Sequence, residues 1–336
     1  MPFNNSVQIR ILEAIKHNLP PHISLVDELA DLLNVSKDSA YRRLRGEKSL
    51  DIREIQILAS HFNLSLDSIL NNNNNVLSFN TQIIGANNYT FKDWLRNILN
   101  LLGMISQMED GILSYFARDL PIFHHFLFPE LSAFKLFFWF KTYLNDDEID
   151  GLTMDLDHLP AKVEELIPIT GKIWEAYART PSEEIWTSET VNILLKQILY
   201  YYEAGILKSR SQALTVLEQY QQVIDIIQNE ARRGTKFINP EVGSSSDEIF
   251  NLYYNEVSMG DNSILFRMGE KKMAFITSSI KIFMNNADPL FCDQMEQYHN
   301  NFKRKSTLLS KTSEKDRLKL FSDIKSTINH YKDKIK

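Results

Sequence analysis

Residues 24–70 read SLVDELADLLNVSKDSAYRRLRGEKSLDIREIQILASHFNLSLDSIL, and the tight break inside this run constrains the fold more than any other feature of the 336-residue chain. Leu29, Ala30, Leu32 and Leu33 form an apolar stripe at helical spacing that stops at Asn34, Val35 and Ser36. Asn34 sits where the chain must reverse, and Asn is the non-glycine residue that best tolerates a left-handed backbone. A second helix follows, with the Ser36 hydroxyl placed to cap its first turn. Ala40 and Leu44 face inward with Val35, so Lys37, Asp38, Tyr41, Arg42 and Arg45 point outward. Ala30 and Ala40 are small, which lets two helices joined by so short a turn cross closely. Gly46 ends the second helix, and Lys48 lies in the loop beyond.

Two further helices complete the reading. One fits residues 7–19 with Ile11, Leu12 and Ile15 on its apolar face, and the other fits residues 51–62 with Ile52, Ile55, Leu58, Ala59 and Phe62 inward. Leu64, Leu66, Ile69 and Leu70 close the bundle, for a count of five short helices. The outward face carries the side chains that read base edges: Arg grips guanine O6 and N7, Lys reaches the same acceptors, and Asp accepts from the amino group of cytosine. Acidic residues balance the basic ones across these 70 residues, so any positive field is local to residues 37–53.

With LA at 29 and 30, NVS at 34–36, RG at 45 and 46 and the closing NLSLDSIL, the first 70 residues resemble the Cro and lambda-repressor-like (XRE) helix-turn-helix domains. The resemblance implies that Lys37, Asp38, Tyr41 and Arg42 approach base edges in the major groove, while Ser36, Arg45 and Lys48 hold phosphates or the groove edge. Val26 stands where that family usually carries a phosphate-contacting Gln, and Asn34 replaces the usual Gly.

Such a domain occupies a fifth of the chain. The rest, at 43% hydrophobic and 24% charged residues overall, has the composition of a soluble globular protein with a sizeable core. A single cysteine, Cys292, excludes an internal disulfide and a cysteine-rich zinc site and fits a reducing cytoplasm. No secretory leader is expected, because MPFNNSVQIR runs straight into a charged amphipathic helix without a long apolar core. Residues 120–140 are the most hydrophobic stretch, but His124, His125, Pro129, Glu130 and Lys135 interrupt it, so it reads as core helices and not as a membrane span. A net charge of -6 argues against a general polyanion coat, and any DNA contact is expected to be site-directed.

The asparagine run at 71–75 marks a boundary, with a linker expected over residues 71–88. The effector part, residues 89–336, is expected to be mainly α. Thr90 with Asp93 opens a helix, Thr180, Pro181 and Glu183 open another running to about Lys208, and Ser211 opens one ending near Gly234. Asp288 with Pro289 and Ser313 with Asp316 open the last two. Between them, residues 252–277 read as a small antiparallel β-meander packed on helices. The fold class expected is thus a mainly α protein: a five-helix lambda-repressor-like domain, then a large helical domain with that meander.

Signatures of catalysis are missing from the sequence: there is no phosphate loop ending in GK, no HExxH and no dinucleotide fingerprint, and GSSSD at 243–247 lacks the second Gly of a nucleophile elbow. His124 with His125, and Cys292 with His299, are read as packing residues, and no metal, cofactor or enzymatic activity is expected. The aromatic series from Phe116 to Tyr143 reads as core, with a pocket for an apolar effector or a dimer surface as the alternatives. The basic C-terminal segment, with Lys303, Arg304, Lys305 and Ser306 at a helix end, reads as a solvated face, with anion binding as the alternative. The expectation is a homodimeric transcriptional regulator that reads a palindromic double-stranded operator, with an effector, small molecule or peptide, left open. Two alternatives remain: a peptide-responsive regulator, disfavoured by the absence of a 34-residue repeat, and a protein-docking module that has lost DNA binding.

Overall fold

At Asn34 the backbone turns left-handed, with φ of 50°, and the chain reverses between two short helices. The structure, a computed structural model, describes all residues except 1–5, 20–22, 63, 65, 67, 68, 70–76, 242, 257–260, 280 and 336. The chain divides into two compact units, Met1–Phe79 and Asn80–Lys336.

In the first unit, α1 (Ser6–Asn18), α2 (Leu25–Leu32), α3 (Lys37–Leu44) and α4 (Ile52–His61) surround a core of Ile11, Leu12, Ile15, Leu29, Ala30, Ala40, Leu50 and Leu58. The reversal after α2 is a Schellman closure: the Asn34 N–H bonds the Asp31 carbonyl at 3.3 Å and the Val35 N–H bonds Ala30 at 2.9 Å. The same closure ends α3, where Gly46 has φ of 73° and the Gly46 and Glu47 N–H groups bond Arg43 and Arg42 at 3.1 and 2.8 Å. Ile52, expected inward, is 87% exposed, because the first residue of α4 precedes the turn that packs. The expected fifth helix and the asparagine run fall largely or wholly outside the described residues, although Leu64, Leu66 and Ile69 pack on the core.

The second unit overturns the expectation of a mainly α domain with a small meander. Its frame is a nine-stranded mixed sheet in the order β1-β8-β7-β6-β2-β3-β5-β4, with β9 also on β5. The strands are β1 (Asn80–Ile83), β2 (Ile112–Ala117), β3 (Ser182–Trp186), β4 (Thr235–Asn239), β5 (Ser244–Tyr254), β6 (Ser263–Met268), β7 (Lys271–Ser279), β8 (Ile282–Asn286) and β9 (Thr307–Leu308). β2, β3 and β5 run parallel, while β6, β7, β8 and β1 continue antiparallel from β2. The three segments read as a meander are therefore split: β5 pairs with β3, β6 pairs with β2, and two strands from earlier in the chain stand between them. Residues 182–186, read as the first turn of a helix, form the central strand β3. β1 lies within the stretch read as linker and begins the second unit.

Helices cover both faces. α5 (Phe91–Ser106), α6 (Pro129–Phe138), α7 (Ile167–Ala178), α8 (Asn192–Glu203), α9 (Arg210–Arg233) and α11 (Glu314–Lys334) contribute to the main core, which receives Leu113, Tyr115 and Ala117 of β2. α10 (Pro289–Arg304) covers the opposite face, where Leu265, Ala274 and Cys292 pack together and Phe116 meets Tyr298, His299 and Phe302. Alternation along each strand separates the two faces, as the pleat requires. Local start signals hold for α5, whose Thr90–Asp93 capping box is formed, and for α10, capped by Asp288. α9 is capped by Ser209 instead of Ser211, and Ser313 before α11 is left-handed, with φ of 48° and no side-chain cap.

The central strand carries charge into the core. Glu184 is fully buried, and its carboxylate accepts from the Trp186 indole at 2.7 Å and from the Tyr177 hydroxyl, with His124 Nε2 at 2.7 Å. Burial alone would raise this carboxyl, but the His124 ring and the two other donors outweigh it and hold it below its ordinary value. Next to it, the buried Lys236 ammonium donates to the Thr180 carbonyl at 2.7 Å and to Ser182, 4.3 Å from the centre of the Tyr177 ring.

Two predictions follow from this packing. Glu184→Ala strands three buried donors and is expected to cost about 3–5 kcal/mol, against a smaller loss for Glu184→Gln, in urea unfolding followed by tryptophan fluorescence. The carboxyl of Glu184 lies below its ordinary value of 4.5 when folded, so its contribution is present at neutral pH and is lost as pH falls through the lowered folded value. A titration in which wild type and Glu184→Gln lose stability in parallel below pH 4.5 would contradict this linkage.

Candidate nucleic-acid interface

The outward side of α3 is built from its inward side. Ala40 is fully buried against α2, and Arg43, one turn on, is only 2% exposed although it carries a charge. Arg43 spreads over two residues: Nε donates to Glu54 Oε2 at 3.1 Å and Nη2 to Glu54 Oε1, while Nη1 donates to Ser39 Oγ at 2.6 Å and to the Ser39 carbonyl at 3.2 Å. Glu54 is in turn the third residue of a capping box that opens α4, with Asp51 Oδ1 accepting from the Glu54 N–H at 2.8 Å. The Arg43 guanidinium holds the Glu54 carboxyl below its ordinary value, against the raising effect of burial.

Gln8 of α1 closes the other end. Its amide donates to the carbonyls of Arg43 at 2.7 Å and Lys48 at 2.9 Å, and its carbonyl accepts from the Leu50 N–H at 2.8 Å. One side chain thus ties the end of α3 and the loop after it to the first helix. Neither Gln8 nor the Arg43–Glu54 fork was identified from the sequence. The signal for the fork was present: Arg43 stands three residues after the inward Ala40, and the D-x-x-E pattern at 51–54 places an acid at the start of the next helix.

With the inward side fixed, Lys37, Asp38, Tyr41, Arg42, Arg45 and Lys48 are all exposed. Tyr41 is 47% exposed, and the Arg45 guanidinium lies 5.8 Å from the centre of its ring. Ser36 is also exposed, but its hydroxyl accepts from the Ser39 N–H at 3.3 Å and so serves as the helix cap. By helical spacing Lys37, Asp38, Tyr41, Arg42 and Arg45 share the side of α3 away from Ala40 and Arg43, while Ser36 and Lys48 lie in the two turns that flank the helix.

Charge on this side is largely compensated from within. Lys37 Nζ lies 2.6 Å from Asp27 Oδ1, a pairing that raises the lysine and lowers the carboxyl. Glu47 stands between Arg42 and Arg45, at 3.9 and 3.7 Å. All these groups are at least half exposed, so each pair is weak and exchanges readily for another anion. The exposed first turn of α3 adds backbone N–H groups and the positive end of a helix dipole.

The other sites considered in the sequence resolve differently. His299 bridges Ser114 Oγ at 3.0 Å and Ser263 Oγ at 2.8 Å, and Cys292 donates to the Asn286 carbonyl at 3.4 Å. Lys303 of the basic C-terminal segment pairs with Glu183 at 2.5 Å, and Lys325 pairs with Asp225 at 2.6 Å. Among the described residues no group of His, Cys, Asp and Glu has the arrangement of a metal site, and no helix is long and apolar enough to cross a membrane.

Comparison with known proteins bears on the first unit. No curated protein and no solved structure matches the chain. Residues 5–88 match a family model described as the BetR domain, a helix-turn-helix-like family of DNA-binding domains, so this part of the chain is similar to the DNA-binding module of a helix-turn-helix regulator.

Proposed function

We propose that the protein is a sequence-specific DNA-binding transcriptional regulator. The observation that carries the reading is the two-sidedness of α3: Ala40 and Arg43 are buried on one side, while Lys37, Asp38, Tyr41, Arg42 and the capping Arg45 are solvent-exposed on the other, with Lys48 exposed in the loop that follows. In this reading α3 enters the major groove in the manner of the Cro-like domains. Arg42 and Lys37 take guanine acceptors, Asp38 accepts from cytosine, Tyr41 packs on a base edge, and Arg45, Lys48 and the Ser36 turn hold phosphates. An eight-residue recognition helix reads few base pairs, so the protein acts as a homodimer on a palindromic operator with half-sites about 34 Å apart. The second unit serves dimerisation and sensing and carries out no catalysis.

A second reading has one observation in its favour. The pairing of Lys37 with Asp27, and of Arg42 and Arg45 with Glu47, leaves a face of low net charge that would also suit a protein partner. The two readings diverge in salt dependence, since phosphate contacts release counterions and protein contacts of this size do so weakly.

Selection from a random DNA pool is expected to return a palindrome. Arg42→Ala should cost about 1–3 kcal/mol of binding to it and relax the preference at one position in each half-site, whereas Lys48→Ala should weaken all sequences evenly and lower the salt slope by about 1. Glu47→Gln releases two guanidinium groups and should strengthen binding severalfold, by about 0.2–1 kcal/mol for each exposed pair, in electrophoretic shifts at fixed salt. An unenriched pool, or a shift indifferent to all three substitutions, would leave the docking-module reading in its place.

A further inference from the structure

The second unit holds a cavity of about 620 Å³, open to solvent on one side, between α5, α6 and the β2-β6-β7-β8 part of the sheet. Its wall is mostly apolar, with Trp94, Leu101, Phe123, Trp139, Phe266 and Phe283 prominent, and this size and lining match the sites that take drug-sized organic molecules. Five acidic or basic side chains interrupt the wall; Arg118 and Asp261 are exposed and pair with each other at 2.5 Å, which leaves the three more deeply set ones, Asp119, His125 and Lys135.

Their hydrogen bonding is incomplete. Lys135 is 1% exposed, and its ammonium makes one hydrogen bond, to Gln197 Oε1 at 3.0 Å, while the Phe138 and Trp139 ring centres lie 5.7 and 5.2 Å away. Among the described residues no carboxylate is within ion-pair distance of it, and Asp119 acts on it only at longer range. His125 is 1% exposed with both ring nitrogens unpartnered, the Ile122 carbonyl being near the ring but outside hydrogen-bonding geometry. Burial, reinforced by the Lys135 charge, keeps that ring neutral, so it offers one donor and one acceptor. Asp119 Oδ1 is likewise buried and unpartnered, and burial moves its carboxyl toward the neutral form.

Packing alone does not account for this set. A buried ammonium without an anionic partner and an imidazole without any partner are each destabilising in an apolar wall. Their unused hydrogen-bonding capacity is weighted toward donors: two N–H groups on Lys135 and one on His125, beside an acceptor on His125 and one oxygen on Asp119. A carboxylate is the compact group that takes several donors at once.

We propose that this cavity binds an amphipathic monocarboxylate, its apolar body against the tryptophans and phenylalanines and its carboxylate on Lys135 and His125. The site stands whether or not the first unit binds DNA, and its test does not use DNA.

Trp94 and Trp139 line the cavity and report occupancy by fluorescence. The 336-residue protein is titrated with dodecanoate, indole-3-butyrate, dodecanol and dodecylammonium, each below its micelle concentration. Saturable quenching is expected from at least one of the two acids, at least tenfold tighter than from dodecanol, with dodecylammonium weakest. The better acid identifies an alkyl or an aryl body. Lys135→Met, which removes the charge but keeps the length, should weaken the acids about tenfold or more and leave dodecanol within twofold. Leu101→Trp, on a half-buried position of the wall, should abolish binding of every ligand and keeps the test available if Lys135→Met does not fold. Tighter binding of dodecylammonium than of dodecanoate, equal binding of acid and alcohol, no saturable response to either acid, or wild-type binding by Leu101→Trp would each overturn the proposal.

Discussion

The geometry of the first unit depends on a charge that never reaches solvent. Arg43 belongs to a basic turn, with Arg42 and Arg45 beside it, yet it faces inward and gives its guanidinium to Glu54 and Ser39. A buried fork of this kind is costly to desolvate and strongly directional, so it fixes the rotation of α3 about its own axis more tightly than apolar contacts do. Rotation about that axis decides which side chains a helix of eight residues presents, because one residue of slip moves the face by about a hundred degrees. Gln8 fixes the remaining freedom by holding the loop after α3 to α1 through three hydrogen bonds. The exposed face is thus specified by residues that are not part of it.

The second unit applies the same device at a larger scale. Strands in the parallel centre of a sheet usually read as apolar runs, because helices cover both faces. β3 reads SEEIW instead, and every polar residue in it is matched: Ser182 by Lys236, Glu183 by Lys303 and Glu184 by His124, Tyr177 and Trp186. These partners come from α7, α10, β4 and the 3-10 turn before α6, so the strand's polar side chains tie the helical layers on both faces to the sheet. Asp119, His125 and Lys135, a short distance along the same chain segment, lack this degree of matching, which is the physical basis for treating their cavity differently from the core.

What the sequence disclosed followed the range of the interactions. The turn at Asn34, the cap at Ser36, the stop at Gly46 and the box at Thr90 are set within four residues, and all of them stand in the structure. The pairings of β2 with β3, β3 with β5 and β2 with β6 join residues more than 60 positions apart, and there the reading failed. Thr180, Pro181 and Glu183 carry a genuine local helix signal, but backbone pairing with β2 and β5, far off in the sequence, makes the segment a strand, and Lys236 and Lys303, 54 and 120 residues away, satisfy its polar side chains. β2 is a short apolar run at the start of the aromatic series that suits a helix equally well, and without β2 and β3 the later strands could only be read as a meander. The residues proposed to meet DNA were legible because outward positions on a short helix follow from the inward ones. Arg43 and Gln8 were not, because their roles require knowing where α1 and α4 lie.

The margins of the sheet carry a consequence of their own. A nine-stranded sheet ends in rows of unpaired peptide groups, and such rows invite strands from other molecules to add on. Here the outermost strand on one side, β1, is only four residues long and reads Asn-Thr-Gln-Ile, all exposed. On the other side, β5 is shielded by β4 along one half and by β9 at its far end. Brevity and amide side chains at one margin, and the five-residue, irregularly paired β4 with β9 at the other, leave no long, flat, apolar border among the described residues, which disfavours growth into fibrous aggregates by edge addition.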